Sequence, residues 1–224
     1  MSEDLGGLQI YSIYHLQGMA KMQFLLRHCR EMDTTGKLLV ASIRHTQMEL
    51  GISTPFFETN FYAYSNIITP TWSTNLWQYM SECNATLHEI EPWIYKPPRQ
   101  NDFFLMDVVM RSDLPDNYKE IFNRVRINMR LLTASDIVAA DSKYKILPYI
   151  FDGTHCREST YCWPQEQKLP KKWQNVFNDI IRNIIRPQLS STSLGKWEND
   201  GHQKFHHGAD KNGFVIENDG KEKI

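Results

Sequence analysis

His155, Cys156 and Cys162, with His202, His206 and His207 further along the chain, are the residue types that bind zinc. Their spacing argues against a site. A His-Cys pair in adjacent positions and a five-residue gap before Cys162 do not make a Cys-x-x-Cys knuckle, and the distant histidines lie in a segment with little apolar content. The expectation is no metal and no other cofactor, with the histidines solvated in loops. Asp136 and Asp141 could act as a general acid and base, but five residues apart on a helix they do not share a face. Both stand where helix caps are common, and capping is the expected role. Cys29 lies beside His28 near a helix end, where the dipole raises a thiol pKa that an N-terminus would lower. No catalytic residue is expected.

Positive charge gathers in two places. Between residues 119 and 130, Lys119, Arg124, Arg126 and Arg130 stand against Glu120, a balance of +3. Between 168 and 186, Lys168, Lys171, Lys172, Arg182 and Arg186 stand against Asp179, a balance of +4. Clustered Lys and Arg neutralise phosphates and release counterions, and Trp163 and Trp173 could stack on bases. The competing reading is a solvated helix face with the tryptophans in the core. The candidate nucleic-acid contacts are Arg126, Arg130, Lys171, Lys172 and Arg182. Net charge over the 224 residues is −1, so any such binding must use local patches.

The elements that must position these residues read mostly as helices. RVRINMRL, residues 124–131, alternates like a half-buried strand with an arginine face. Over a longer window Tyr118, Phe122, Val125, Met129 and Leu132 recur at spacings of 4, 3, 4 and 3, and Pro115 supplies a first-turn proline. The helix parse explains more residues. It places Arg126 and Arg130 at i and i+4 on one flank, outside the apolar stripe, and Arg124 on the other.

Elsewhere, a helix over 8–30 is expected to turn Ile13, Leu16, Ala20 and Phe24 to the core. Thr34 or Thr35 starts a second helix striped by Leu39, Ile43 and Leu50, with Gly51 left-handed at its end. Thr69 as N-cap and Pro70 open a third, with Trp72, Leu76 and Tyr79 on one face. Asp102 caps a helix with Phe103, Met106 and Met110 inward, and Thr133 with Asp136 forms a capping box. A strand is expected over 144–153, and an edge strand over 87–90. A helix with Trp173, Phe177, Ile180 and Ile184 inward ends at Pro187. The fold class is mainly α: a multi-helix domain with one or two small β-hairpins or edge strands. Residues 1–189 form that domain, and 190–224 a linker, SSTSLG, and a small C-terminal hairpin around Asp219-Gly220.

Hydrophobic residues make up 41% and charged residues 23%, a globular balance. No apolar run approaches the roughly 18 residues of a membrane span, and the start, MSEDLGG, is unlike a signal peptide. Four scattered cysteines suggest reduced thiols. The expected location is intracellular, cytoplasmic or nuclear, with no membrane partner. The aromatic stretch holding Phe56, Phe57, Phe61 and Tyr62 offers a protein-interaction surface if it is exposed.

DTTGKLLVASIRHTQMELG, TPTWSTNLW, LTASDI, and WPQ followed by KKW occur in this order. With them, the chain over most of 16–197 resembles the region downstream of the reverse-transcriptase catalytic domain in retroelement-like reading frames of unicellular algae. The polymerase signature Tyr-x-Asp-Asp is absent, and no ribonuclease H carboxylate set is recognisable. The resemblance thus implies a non-catalytic accessory segment that sits against a reverse-transcriptase domain and contacts an RNA or DNA backbone. With Met1 as the true start, it implies a detached remnant. The alternative from the residues is a soluble helical protein-interaction scaffold with no nucleic-acid role.

Overall fold

The computed structural model describes residues 12–88, 97–153, 163–164 and 168–197, and the backbone of two short strands in the tail. Helix dominates them, as the spacings imply. They belong to two units, one of Met1–Thr46 and Thr54–Pro92, the other of Gln47–Ser53 and Trp93–Ile224.

The first unit holds α1 (Ile13–Glu31), the start of α2 (Thr34–Leu50), short 3-10 turns between 56 and 67, and α3 (Trp72–Glu82). Asp33, not Thr34 or Thr35, starts α2, its Oδ1 accepting from Gly36 N at 2.7 Å. Thr71, not Thr69, caps α3. Its Oγ1 accepts from Thr74 N at 3.2 Å while its own N–H donates to Thr74 Oγ1 at 2.6 Å, a reciprocal pair that a start at Pro70 would forgo.

The stripe of α1 expected to face inward faces outward: Ile13 is 83% exposed, Leu16 47% and Phe24 42%. Gly18 and Leu25 are buried instead. A helix apolar on more than one side offers two stripes, and Gly18 selects between them, since a Cβ there would lie 2.3 Å from the Tyr79 ring of α3. Trp77 is the centre of this unit. It is fully buried, donates from Nε1 to Thr59 O at 2.8 Å, and meets the edges of Phe56 and Phe61 at 5.1 and 5.2 Å. The aromatic stretch is therefore mostly inner packing: Phe56 and Phe57 are buried, Phe61 is half-buried and Tyr62 is exposed.

The second unit comprises the end of α2, α4 (Leu105–Arg111), α5 (Asp116–Asn128), a 3-10 turn (Ala134–Asp136), α6 (Tyr149–Asp152), α7 (Lys171–Ile180), a π turn (Ile181–Ile185) and α8 (Arg186–Thr192). RVRINMRL becomes helix and then turn. Arg130 adopts a left-handed φ of 55°, Leu131 N donates to Arg126 O and Arg130 N to Ile127 O, both at 3.0 Å. This is a Schellman C-cap with arginine where glycine is usual. Phe122, Val125, Met129 and Leu132 are buried as their spacing implies, whereas Tyr118 turns outward. Phe122 stacks on Phe177 of α7 at 4.9 Å, which packs the two helices together.

Several expectations need correction. α4 begins at Phe104 as N-cap, without Asp102. Residues 144–153 form no strand; Ile146 makes an isolated bridge to Val138 and the chain enters α6, because Pro148 and Gly153 suit a short helical turn better. The helix does not stop at Pro187. A proline ring would clash with the carbonyl four residues back, and the wider π turn, closed by Arg186 N to Ile181 O, carries the chain past it. That turn inserts a residue into the stripe, so Ile185 and Leu189 are fully buried and Ile184 is not.

Nor is SSTSLG a linker at 190. Its first three residues finish α8, Leu194 is buried, and Gly195 N donates to Gln100 O at 2.7 Å. Trp197 closes this strap: it bridges to Arg99, whose guanidinium lies 5.0 Å over the indole. Between 12 and 197 the described residues form isolated bridges and no hairpin. In the tail, β1 (Phe205–His206) pairs antiparallel with β2 (Ile216–Glu217). The hairpin expected around Asp219-Gly220 lies outside the described residues, as does most of the edge strand expected over 87–90.

Candidate nucleic-acid interface

Arg126 is the first candidate to change character. It sits four residues after Phe122 and three before Met129, so it belongs to the stripe itself, and its side chain is fully buried. The expectation that it lies outside the stripe is wrong. Nε donates to Asn123 Oδ1 at 3.0 Å, Nη1 to Leu131 O at 3.0 Å, and Nη2 to Met48 O, Glu49 O and Asn123 Oδ1 at 3.0, 2.8 and 2.7 Å. Asn123 Nδ2 also donates to Glu49 O at 3.0 Å. The last carbonyls of α2 have no acceptor duty within their own helix, and Arg126 and Asn123 satisfy them from α5. The cation thereby meets the negative end of the α2 dipole.

Burial draws the Arg126 pKa down to about 9, opposed by the charges of Asp136 and Glu49. So held it remains a cation at neutral pH, and its full burial puts it out of reach of a phosphate. Trp163 lies 5.7 Å away across its face and packs with Met48, Phe104 and Leu132, so it is core and not a base-stacking platform. Gly51 completes the arrangement. Its φ is +65°, as expected for the end of α2, and a Cβ there would meet the Arg126 guanidinium carbon at 2.5 Å. Arg130, placed at the Schellman turn, is half-buried, and Arg124 is paired with Glu120 at 3.0 Å.

The second cluster stays at the surface. Lys168, Lys171 and Lys172 are exposed, and among the described residues no ion pair joins them. Lys171 and Lys172 occupy the first turn of α7, where unpaired backbone N–H groups add to their potential. Arg182 is exposed but engaged, 3.7 Å from Asp179 and 5.1 Å over the ring of Phe151. The structure thus keeps Lys171, Lys172 and Arg182 on one continuous helix and takes Arg126 out of the set.

Asp136 performs the capping role read from the sequence: its Oδ2 accepts from Leu132 N at 2.7 Å and Thr133 N at 2.9 Å. Asp102, expected to cap α4, instead ties the chain before that helix to the 133–136 turn. Its Oδ1 accepts from Phe103 N at 2.9 Å and Ser135 N at 3.1 Å. Burial pushes its carboxyl up to about 6; the Ser135 and Thr133 hydroxyls beside it restrain the rise and the Asp136 charge adds to it. His155, Cys156, Cys162, His202 and His207 lie outside the described residues, as does the side chain of His206. Among the described residues His28, Glu31 and Asp33 bring ligand atoms within 4.8 Å of one another. All three already have partners: His28 Nδ1 and Asp33 Oδ2 lie 2.7 Å apart, and Glu31 pairs with Arg27 at 3.1 Å.

No helix among the described residues is long and apolar enough to cross a membrane. Comparison with family models, curated proteins and solved structures gives no match.

Proposed function

We propose that the chain is a non-catalytic accessory segment that contacts a nucleic-acid backbone through the outer face of α7 and α8, and that its partner is a reverse-transcriptase domain. The retroelement part of this reading rests on the sequence resemblance alone. The observation that carries the nucleic-acid part is the pair Lys171 and Lys172, exposed and without an ion pair among the described residues, in the first turn of a helix that continues through Arg182 to Arg186. A single basic face reads charge and not sequence, so binding is weak and non-specific, with Kd on the order of 10⁻⁴ to 10⁻⁶ M at physiological salt.

Fluorescence anisotropy with single- and double-stranded oligonucleotides over a range of salt tests it. Binding that fades as salt rises, and whose slope falls by about two contacts in Lys171→Gln/Lys172→Gln, supports the reading. No binding at low salt overturns it. A second reading, a helical protein-interaction scaffold, is favoured by the outward apolar residues Ile13, Leu16 and Phe24 of α1 and no longer by the aromatic stretch.

A further inference from the structure

Arg99 is a second buried cation of the second unit, 5% exposed, and its surroundings use only part of it. Nε donates to Gly195 O at 3.1 Å and Nη1 to Ser142 O at 2.8 Å, while the guanidinium lies 5.0 Å over the Trp197 indole. Nη2 donates to no described residue. Arg126 supplies the contrast, since each nitrogen of its guanidinium has an acceptor. A guanidinium edge held in place by its other donors and left without an acceptor is suited to an anion. Burial draws the Arg99 pKa down and the charge of Asp102 opposes this, so the group gains from added negative charge.

The two carbonyls that Arg99 holds bring three segments together. Ser142 precedes Lys143 and Gly195 precedes Lys196; Lys143 O accepts from Leu194 N at 3.1 Å, and Lys196 O from Gln100 N at 2.9 Å. Lys143, Lys145 and Lys196 are exposed, and among the described residues no ion pair joins them. With Arg99, and against Asp102 and Asp141, they leave a balance of +2. The turn that carries two of these lysines is preformed. Ser142 Oγ accepts from Tyr144 N at 3.3 Å and Lys145 N at 2.9 Å, Ala139 N donates to Lys145 O at 2.8 Å, and Trp197 Nε1 donates to Ala140 O at 3.3 Å. Between the two lysines Tyr144 is 65% exposed.

Cations on both sides of an exposed ring suit a ligand that carries phosphates and bases together. An acidic peptide would use the charge alone, and the bases of a duplex are already stacked on one another. We propose that the Lys143–Tyr144–Lys145 turn, with Lys196 and the open edge of Arg99 beside it, is a binding platform for single-stranded nucleic acid, its phosphates on the cations and a base on Tyr144. The ligand class rests on the nucleic-acid reading above, but the site uses none of the α7 and α8 residues.

The test uses the full chain with an oligothymidylate and a duplex of equal length, followed by fluorescence anisotropy over a range of salt. Lys143→Gln/Lys145→Gln/Lys196→Gln should lower the single-strand salt slope by about 2, from three contacts at about 0.7 each. Tyr144→Ala should weaken single-strand affinity by about tenfold and duplex affinity by less than about twofold. All four positions are exposed, so the melting curves should match the parent's. Binding lost in the triple variant and kept in Lys171→Gln/Lys172→Gln supports this site and overturns the α7 contact; the reverse overturns this site and leaves that contact standing. Binding that Tyr144→Ala leaves unchanged, or that an oligoglutamate of equal charge displaces as well as the oligothymidylate does, overturns the proposal. No binding of either oligonucleotide at low salt overturns both.

Discussion

Arg126 on α5 and the Lys171–Lys172 pair on α7 carry the same charge on two helices that pack against each other through Phe122 and Phe177. What separates them is what surrounds the charge. The Arg126 stem runs along an apolar stripe and its planar fork meets carbonyls at the end of α2, so desolvation is offset by hydrogen bonds to Met48, Glu49, Leu131 and Asn123. The lysines stand on the opposite side of their helix from the buried line of Phe177, Ile181, Ile185 and Leu189 and stay solvated. On these two helices the cation is structural where helix-end carbonyls face it, and stays solvated where they do not.

The largest effect should come from breaking the buried half of this comparison. Arg126→Gln leaves several buried acceptors without donors and should lower the unfolding free energy by roughly 3 to 5 kcal/mol in denaturant titration. A loss below about 0.5 kcal/mol, the ordinary size for a surface change, would show that the α2 carbonyls are satisfied in some other way. Gly51→Ala touches the same place from the other side. It combines an unfavourable left-handed backbone with a methyl group directed at the guanidinium, and a destabilisation of about 1 to 3 kcal/mol is expected in the same assay.

Asp102 sharpens the account through pH. Burial holds its folded carboxyl at about 6, above the ordinary 3.8, so the folded state binds the extra proton. The contribution to stability is present in full below the unfolded value and is lost as pH rises through the folded one. Stability should therefore fall by about 1 to 3 kcal/mol between those limits, and Asp102→Asn should flatten that part of the profile. A profile that is unchanged in the variant would assign the dependence to another group. At the exposed end, Lys171→Gln/Lys172→Gln should leave stability within about 0.5 kcal/mol of the parent. Melting curves of the two proteins should coincide, and a clear drop would place the lysines in packing.

Much of this division was legible in the spacing. Phe122, Val125 and Met129 mark α5, and Arg126 between them falls on the same face; pairing it with Arg130 at i and i+4 sets it on a flank instead, and an arginine is seldom buried without a carboxylate. Its backbone acceptors come from residues 48, 49 and 131, and no local window contains the first two. The Thr133–Asp136 cap and the left-handed Gly51 are local chemistry and were readable. The face used by α1 was not, since Gly18 matters only beside Tyr79. Likewise the π turn requires a helix stable enough to continue past Pro187, which tertiary packing supplies through Ile185 and Leu189.

The most direct test of the central claim is hydrogen exchange at the arginine side chains, followed in nuclear magnetic resonance spectra at neutral pH. The Arg126 Nε proton, held by Asn123 Oδ1 inside the second unit, should exchange slowly and keep its chemical shift when an oligonucleotide is added. Arg182, exposed on the helix face, supplies the comparison and should exchange fast. An Arg126 Nε proton that exchanges as fast as that of Arg182, or that shifts on adding the oligonucleotide, would contradict the account.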